Sequence, residues 1–377
     1  MRVVHIISGL GGGGAEHTLL KLVKETKNYD HHIVVMSNIT DLAKRLTELG
    51  AVVHVIDFKS GFLLLPYKIF EFASLLRKLK PGAVQTWMYH ANLVGGILAR
   101  MFTDAPIFWG IHHTSPCSTD LSKSTLIVTR LLKLTSRRIP NKIVYCSNSA
   151  KTVHELFGFT VERSALIFNG YDPNRFVIND EMRRSIRQKL SISESSFVIG
   201  FVGRYHYVKG IDILLRSISV ASGVIKNISV LMVGPGLSTY NSNLIKEIDD
   251  NSLVKYVRLL GPHDNIHDLM SAFDILILPS RSEAFPNVLN EAMLCGIPCI
   301  SADVGDASTI VGKTGWLVEP CSIEKFVLAI LAAKECSDDA RNWLRRRVMC
   351  RNHVLENFSV KKMAIAYSDL WTESNGV

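Results

Sequence analysis

The sequence predicts an α/β protein of two doubly wound domains, and three observations support this. Short apolar runs of strand length alternate with helix-length amphipathic segments along the 377 residues. The alternation stops at a turn-rich stretch, 169–173, and restarts with a new apolar run at 195–203. A chain of this length also exceeds the usual size of one hydrophobic core.

The first domain is predicted to span residues 1–180. Its strands are predicted at 2–8, 31–37, 52–58, 83–87, 107–112, 142–147 and 165–170. Helical patterns fall between them at 16–27, 41–49, 67–79, 91–101 and 121–137. Repeated strand–helix alternation indicates a parallel sheet with helices on both faces.

The second domain is predicted to span residues 181–355, followed by a C-terminal helix over 356–377. Its strands are predicted at 195–203, 228–234, 254–261, 274–280, 298–303 and 315–320. Its helical patterns lie at 210–222, 241–250, 266–272, 287–295 and 322–335. The two domains therefore have similar sizes and similar α/β organisation.

Composition and charge narrow the class of protein. Apolar residues make up 47% of the chain and no apolar run approaches membrane-spanning length, while the N-terminus is typical of a first strand. The seven cysteines form no C-x-x-C pair, which favours reduced thiols in a cytoplasmic protein. Residues 1–180 hold 21 Lys and Arg against 13 Asp and Glu, whereas residues 181–377 are nearly balanced at 22 against 21.

The basic excess is concentrated between Asp120 and Glu155, where seven basic residues occur without an acid. This run is either a solvated face or a surface that attracts an anionic partner such as phospholipid or a lipid-linked diphosphate. Nucleic acid is the least favoured partner, because aromatic residues do not alternate with the basic ones and no nucleic-acid-binding motif is present.

Two strand-to-helix loops have the composition of phosphate sites. The first, 8-SGLGGGGAEH-17, satisfies G-x-G-x-x-G, but the second strand ends in Met-Ser-Asn without the acid that a dinucleotide ribose needs. NAD binding is therefore weakly indicated, and a tight turn without a ligand stays open. The second loop carries Arg204 and Lys209, a pair of cations suited to a diphosphate.

The stretch 280-SRSEAFPNVLNEAMLCGIP-298 carries the strongest signal. Glu283 follows a predicted strand, and Glu291 lies eight residues later on a predicted helix. Ligands bind at the carboxyl ends of strands in open α/β sheets, and carboxylates accept hydrogen bonds from sugar hydroxyls. The alternative is that Glu291 only stabilises the start of its helix through the helix dipole.

This stretch resembles the E-x₇-E signature of family 4 retaining glycosyltransferases. Further segments resemble the same family, in order along the whole chain. They are the glycine loop, N-G-x-D-x-x-x-F at 169–176, G-R-x-x-x-x-K-G at 203–210, 304–306, 315–318 and the tail 353–371. The resemblance implies the GT-B fold, in which two Rossmann-like domains face each other across a cleft and a C-terminal helix crosses back to the first.

The resemblance also implies roles for individual residues. Glu291 should hold the nucleotide ribose, and Glu283 the donor sugar. Arg204 and Lys209 should neutralise the diphosphate, which is the leaving group. The remaining donor-binding residues are predicted to be Gly12, Gly13 and Gly14 in the first domain, with Ala284, Phe285, Pro286, Asn287 and Val288 in the second.

A histidine at a strand end of the acceptor domain completes the implied site. His113 in 109-WGIHHT-114 matches it, and His112 takes the place of an arginine found in many relatives, although either ring could face inward. Asn169 and His90 are further acceptor-side candidates, and His90 could instead cap a helix. We expect Glu283, His113, Arg204 and Lys209 to carry the catalysis.

No D-x-D pair occurs in the sequence, so we expect neither an essential metal nor another cofactor. The resemblance implies retention of anomeric configuration, and a front-face displacement is consistent with the residues available. The donor is expected to be a nucleotide sugar, with UDP linked to a hexose or an N-acetylhexosamine.

The expected acceptor is a lipid-linked saccharide in the assembly of O-antigen, capsule or lipopolysaccharide. The amphipathic segment 62–80, together with the basic run 123–151, favours peripheral attachment to the cytoplasmic face of the inner membrane. The alternative for segment 62–80 is ordinary packing of a surface helix. The alternatives are a sugar-nucleotide epimerase of the same fold, a NAD-dependent oxidoreductase and a non-catalytic sugar-nucleotide-binding subunit.

Overall fold

The computed structural model describes residues 1–11, 13–37, 39–58, 64–113, 115–117 and 121–373. These form two compact units. The first unit comprises Met1–Gly170 together with the segment that begins at Val360, and the second unit is Tyr171–Ser359. Within the described residues, no helix is both long enough and apolar enough to cross a membrane.

Parallel strands build the sheet of the first unit in the order β3-β2-β1-β4-β5-β6-β7. The strands are β1 (Arg2–Ile7), β2 (Asp30–Val35), β3 (Val52–Val55), β4 (Ala83–Trp87), β5 (Ile107–Ile111), β6 (Lys142–Tyr145) and β7 (Ser164–Leu166). The order reverses direction between β1 and β4, which is the point where doubly wound sheets bind ligands.

Helices cover this sheet. They are α1 (Gly14–Glu25), α2 (Asp41–Glu48), α3 (Leu65–Leu79), the single turn α4 (Met88–His90), α5 (Gly96–Phe102), α6 (Lys123–Thr135), α7 (Asn148–Phe157) and the C-terminal α16 (Val360–Glu373). A π-helical turn, Ala91–Gly95, joins α4 to α5. Buried residues of α1, α2 and α16 share one apolar core, and those of α3 and α5 belong to the core on the opposite face.

The second unit has a parallel sheet in the order β10-β9-β8-β11-β12-β13. Its strands are β8 (Phe197–Val202), β9 (Ile228–Val233), β10 (Val257–Gly261), β11 (Ile275–Leu278), β12 (Cys299–Ala302) and β13 (Trp316–Val318). Its helices are α8 (Asp180–Lys189), α9 (Ile211–Ser222), α10 (Ser242–Asp250), α11 (Ile266–Met270), α12 (Asn287–Leu294), α13 (Ala307–Val311), α14 (Ile323–Asp338) and α15 (Ala340–Asn357). The predicted fold class of two doubly wound parallel sheets is confirmed.

The division between the units falls at residue 170, ten residues before the predicted position. The segment after Gly170 joins the second unit through hydrogen bonds that the sequence does not reveal. The amide of Tyr171 donates to the Phe358 carbonyl at 2.9 Å, and the Arg351 guanidinium donates to the carbonyls of Pro173, at 3.0 Å, and Phe176, at 2.6 Å. The returning helix begins at Val360 rather than at residue 356, because α15 continues to Asn357.

Candidate active site

Three loops meet at the carboxyl end of the second sheet, after β8, β11 and β12. The Arg281 amide donates to the Val208 carbonyl at 2.7 Å, which joins the first two loops. The Asp306 amide donates to the Ala284 carbonyl at 3.0 Å, which joins the last two. Residues 74 positions apart in the chain are thereby held side by side.

Glu283 is at the centre of this arrangement. Its Oε1 accepts a hydrogen bond from Lys209 Nζ at 2.6 Å and another from Ser280 Oγ at 2.7 Å. The Glu283 and Lys209 side chains are 15% and 23% exposed, so the ion pair is partly shielded but open to a ligand. Within the part of the chain that the structure describes, Oε2 of Glu283 accepts no hydrogen bond, which leaves it available to hydroxyl donors.

The other predicted donor residues of this unit lie around Glu283. Phe285 and Pro286 are buried and precede α12, whose first residue, Asn287, is exposed. The Tyr171 hydroxyl donates to Oδ1 of Asn287 and fixes its side-chain amide. Ala284 and Val288 are partly buried on either side of this start of the helix, where backbone amides point outward.

Glu291 lies one turn into α12 and is partly buried. Burial, together with a smaller effect of the Glu291 charge, raises the pKa of the Cys295 thiol to about 12. Arg204 is exposed near the start of the loop that follows β8. The structure therefore brings Lys209 directly to Glu283, and Arg204 and Glu291 lie in the same unit.

The first unit presents its predicted residues at the carboxyl ends of β1, β4 and β5. Gly13 and Gly14 are exposed where α1 begins, whereas Gly12 lies outside the described residues. Thr18 Oγ1 donates to the Gly14 carbonyl at 2.9 Å and lies 3.3 Å from Asn169 Oδ1, which links this turn to Asn169. The amides of the first turn of α1 form a site suited to an anion.

The two histidines after β5 have different surroundings. Both ring nitrogens of His112 are buried and meet no hydrogen-bonding partner of good geometry among the described residues, and its ring stacks on Trp87 with centroids 5.3 Å apart. Burial lowers the pKa of His112 to about 4, against an opposing effect of the Asn169 side chain. His113 is partly exposed and stacks on Tyr89 at 5.5 Å. His90 is exposed in α4, and its side chain does not cap the π-helical turn that follows.

Two family models match the chain. The family described as "Glycosyltransferase Family 4" matches residues 12–175, and the one described as "Glycosyl transferases group 1" matches residues 182–347. The chain belongs to glycosyltransferase family 4. Together the two matches cover most of both units of this glycosyltransferase.

Two curated relatives are each about one-quarter identical in sequence to the enzyme over most of its length. It is 26% identical over 308 residues to the "UDP-Gal:alpha-D-GlcNAc-diphosphoundecaprenol alpha-1,3-galactosyltransferase" of Escherichia coli, covering 79% of this chain and 77% of that protein. It is 25% identical over 313 residues to the "Putative glycosyltransferase EpsF" of Bacillus subtilis strain 168, covering 80% and 79%.

A solved structure gives the same fold. The crystal structure of Anabaena HepE in complex with UDP superposes with a TM-score of 0.85 at 21% identity, covering 99% of this chain and 100% of that one. At this identity the likeness shows the fold alone. The GT-B type of the two Rossmann-like units is thereby confirmed.

Two contributors to the site were missed by the sequence analysis. Ser280 supplies the second hydrogen bond to Glu283, and Arg281 donates to both carboxylate oxygens of Asp212, at 2.9 and 2.7 Å, while stacking over Tyr207 at 4.0 Å. Arg281 thus fastens the β11 loop to α9 and to the β8 loop. Its position beside Glu283 was visible in the sequence, but its partner is 69 residues away.

Substitution of Gly305 should selectively weaken donor binding. Its φ is +59°, and a Cβ there would press on the carbonyl oxygens of Glu283 and Ala284, the latter at 2.6 Å. We expect Gly305→Ala to move the Glu283 loop and weaken nucleotide binding by about tenfold or more, since misplacement of about 1 Å is enough for such losses. Gly261→Ala is the matched control, with φ +67° and open space around the added methyl group. Equal nucleotide affinity in the two variants, measured by calorimetric titration, would contradict this prediction.

Buried histidines predict that acid destabilises the first unit. Burial lowers the pKa of His5 and His31, and lowers that of His154 to about 4. The unfolded chain, with a histidine pKa near 6.5, then binds more protons below that pH, so stability falls as pH drops. His154 alone should cost about 2 kcal/mol at pH 5.

Thiol labelling during urea unfolding measures this effect separately in each unit. Cys146 is buried in the first unit and Cys299 in the second. The urea midpoint for labelling of Cys146 should fall between pH 7 and pH 5, and by less in His154→Gln. A midpoint for Cys146 that does not depend on pH would refute the assignment of neutral buried histidines.

Proposed function

We propose that the enzyme is a retaining glycosyltransferase that moves a hexose or N-acetylhexosamine from a UDP-sugar to a lipid-linked saccharide. The observation that carries the proposal is the fixed Glu283, held by Lys209 and Ser280 beside the start of α12. A carboxylate with one open oxygen suits sugar hydroxyls, and an adjacent cation and helix N-terminus suit a diphosphate. The substrates in the name of the Escherichia coli relative and the UDP bound to HepE support the choice of donor and acceptor.

Lys209 has a double use in this proposal. It neutralises Glu283 in the structure, and when donor binds it would turn toward the diphosphate while sugar hydroxyls take its place on the carboxylate. Arg204, exposed nearby in sequence, would share the diphosphate charge. Glu291 would accept the ribose hydroxyls from its position on α12.

The proposed reaction is a front-face displacement. The bond between the anomeric carbon and the diphosphate oxygen breaks as the acceptor oxygen bonds to the same face of that carbon. The acceptor proton passes to the departing diphosphate oxygen, so neither a protein nucleophile nor a separate base is needed. His113 would contact the transferring sugar and stabilise the charge that develops on it.

We propose that no metal or cofactor is required. Lys209, Arg204 and the amides at the start of α12 supply positive charge where a divalent cation would otherwise stand. Initial rates with UDP-galactose should therefore be unchanged by EDTA, and a loss that added Mg²⁺ or Mn²⁺ restores would refute metal independence.

Peripheral attachment to an anionic membrane is part of the proposal. On α6, Ile127, Leu131 and Leu134 are 57%, 44% and 72% exposed at i, i+4 and i+7, beside the exposed cations Arg130 and Lys133. On α3, Tyr67 and Phe70 are exposed on the outer face, with Arg77, Lys78 and Lys80 at its end. Exposed apolar stripes bordered by cations suit an anionic bilayer surface.

Vesicle sedimentation tests this surface. Vesicles containing phosphatidylglycerol should bind the wild type in low salt, and the triple variant I127Q/L131Q/L134Q should bind at least about tenfold more weakly, because it removes three exposed apolar side chains that would enter the bilayer. Equal binding of both proteins would refute a membrane contact through the apolar stripe of α6.

Product analysis tests the transfer itself. UDP-galactose, UDP-glucose and UDP-N-acetylglucosamine are each supplied with a synthetic polyprenyl-diphosphate N-acetylglucosamine. We expect transfer from at least one donor with an α-linked product, seen by proton NMR before any anomerisation. A β-linked product would refute retention, and conversion of the free donor into an epimer without transfer would favour the epimerase.

A further inference from the structure

The segment after β4 has an unusual backbone. Met88 adopts φ +71°, a left-handed conformation that long side chains rarely take, and the π-helical turn Ala91–Gly95 follows within three residues. Both features concentrate at functional sites, where surrounding contacts compensate for the strain. The residues on either side of Met88, Trp87 and Tyr89, each face one of the two histidines that follow β5.

The two stacks are close to parallel. Trp87 and His112 have centroids 5.3 Å apart with planes inclined at 23°, and Tyr89 and His113 have centroids 5.5 Å apart at 18°. Stacking restricts a ring to one plane and leaves the edge of the ring, which carries both nitrogens of an imidazole, uncovered by the platform. Tyr89 therefore limits the orientations of the His113 ring.

A buried hydrogen-bond chain holds Tyr89 in turn. Its hydroxyl lies 2.8 Å from Nε2 of His154, and Nδ1 of His154 lies 2.7 Å from the Ala150 carbonyl oxygen. A carbonyl can only accept, so Nδ1 carries the hydrogen, Nε2 accepts, and the Tyr89 hydroxyl donates. His154 is fully buried on α7, with the edge of Phe159 against its ring at 5.2 Å.

We propose that Tyr89 and His154 are positioning residues, which hold the His113 imidazole in the orientation that the transfer step needs. The inference rests on the proposed function, which supplies the contact between His113 and the transferring sugar. It assigns to the strained turn at Met88 the task of presenting Tyr89 as the platform. Neither Tyr89 nor His154 needs to touch a substrate.

Four variants separate the contributions of the Tyr89 ring, the Tyr89 hydroxyl and the acceptor nitrogen of His154. Tyr89→Phe keeps the platform and loses the hydroxyl, while Tyr89→Leu loses both. His154→Gln keeps an acceptor for the Tyr89 hydroxyl, while His154→Leu removes it. Tyr367→Phe is the matched control, because the Tyr367 hydroxyl is buried and meets no hydrogen-bond partner in the part of the chain that the structure describes.

The first readout does not depend on activity. In protein labelled with ¹³C-histidine, the Cε1–H signal of His113 is identified by its loss in His113→Asn. The ring current of Tyr89 should shift that signal upfield in the wild type and in Tyr89→Phe, and the shift should be lost in Tyr89→Leu. An unchanged signal in Tyr89→Leu would overturn the inference.

The second readout is the split between kcat and KM for the UDP-sugar that the wild type uses. Tyr89→Leu and His154→Leu should lower kcat about tenfold with donor KM nearly unchanged, because a misplaced group costs rate more than ground-state binding. Tyr89→Phe and His154→Gln should recover most of kcat, and Tyr367→Phe should match the wild type. A purely structural role would lower folded yield in all variants without this recovery.

The outcomes separate this inference from the proposed function. Wild-type protein that transfers no sugar contradicts the proposed function, whatever the NMR signal shows. Wild-type protein that transfers sugar, together with an equally active Tyr89→Leu, contradicts only the positioning role. Loss of the ring-current shift, a lower kcat and recovery in His154→Gln together support it.

Discussion

Glu283→Ala should lower kcat/KM for the sugar donor by about 10² to 10³, which is the usual cost of removing a group that stabilises a transition state. The variant loses the carboxylate that is proposed to accept the sugar hydroxyls. It also frees Lys209 Nζ, now 2.6 Å from Oε1, and removes the partner of Ser280 Oγ. The diphosphate cation and the sugar contact are thus disturbed together.

Two further variants test whether the loss of activity is specific to the Glu283 carboxylate. Glu283→Gln keeps the size of the side chain and one acceptor oxygen but loses the charge that orders Lys209, so its activity should lie between wild type and Glu283→Ala. Glu356→Ala removes an exposed glutamate from α15 in the same unit and should behave as wild type. Initial rates at saturating acceptor measure all three. Glu283→Ala that keeps more than a third of the wild-type kcat/KM would remove Glu283 from the site.

Asp274→Ala should destabilise the second unit by about 3–5 kcal/mol, the usual cost of leaving a buried charge without its partner. Asp274 accepts from Arg183 at 2.6 Å, from Arg187 at 2.8 Å and from the Val198 amide at 2.7 Å. The Arg187 side chain is fully buried. Its other hydrogen bonds go to backbone carbonyls, which carry no countercharge.

Urea unfolding followed by labelling of Cys299 measures this loss in the second unit, and labelling of Cys146 serves as the internal control in the first. The double variant D274A/R187L should be more stable than Asp274→Ala, because it removes the stranded charge as well. If Asp274→Ala is no less stable than D274A/R187L, the unpaired Arg187 charge does not destabilise the unit, and the ion pair stabilises it through packing alone.

The strands of both sheets were predictable because parallel strands buried on both faces are continuous apolar runs. The helices α7 and α8 were not predicted, and the reason is physical. The buried residues of α8 include Arg187 and those of α7 include His154, each neutralised or paired by a specific partner. A hydrophobic pattern cannot indicate a helix whose inward face is polar.

The residues of the candidate site were also predictable only in part. Glu283, Lys209 and Glu291 were predicted, since motif spacing along the chain indicates them. The residues that hold the β11 loop and His113 in place were not predicted, because Arg281 meets Asp212 across 69 residues and Tyr89 meets His154 across 65. Such pairs exist only once the strand order has placed their loops at one end of a sheet.

The most direct test of a nucleotide-sugar site in the second unit is thermal unfolding with UDP, GDP, ADP or NAD, for the wild type and Glu291→Ala. A ligand present at 100 times its dissociation constant should add about 2.7 kcal/mol of stability. We expect UDP to stabilise the wild type, NAD to have no effect, and Glu291→Ala to lose the response to UDP. Stabilisation by NAD and by no nucleoside diphosphate would refute a nucleotide-sugar site and favour dinucleotide binding at the glycine loop of the first unit.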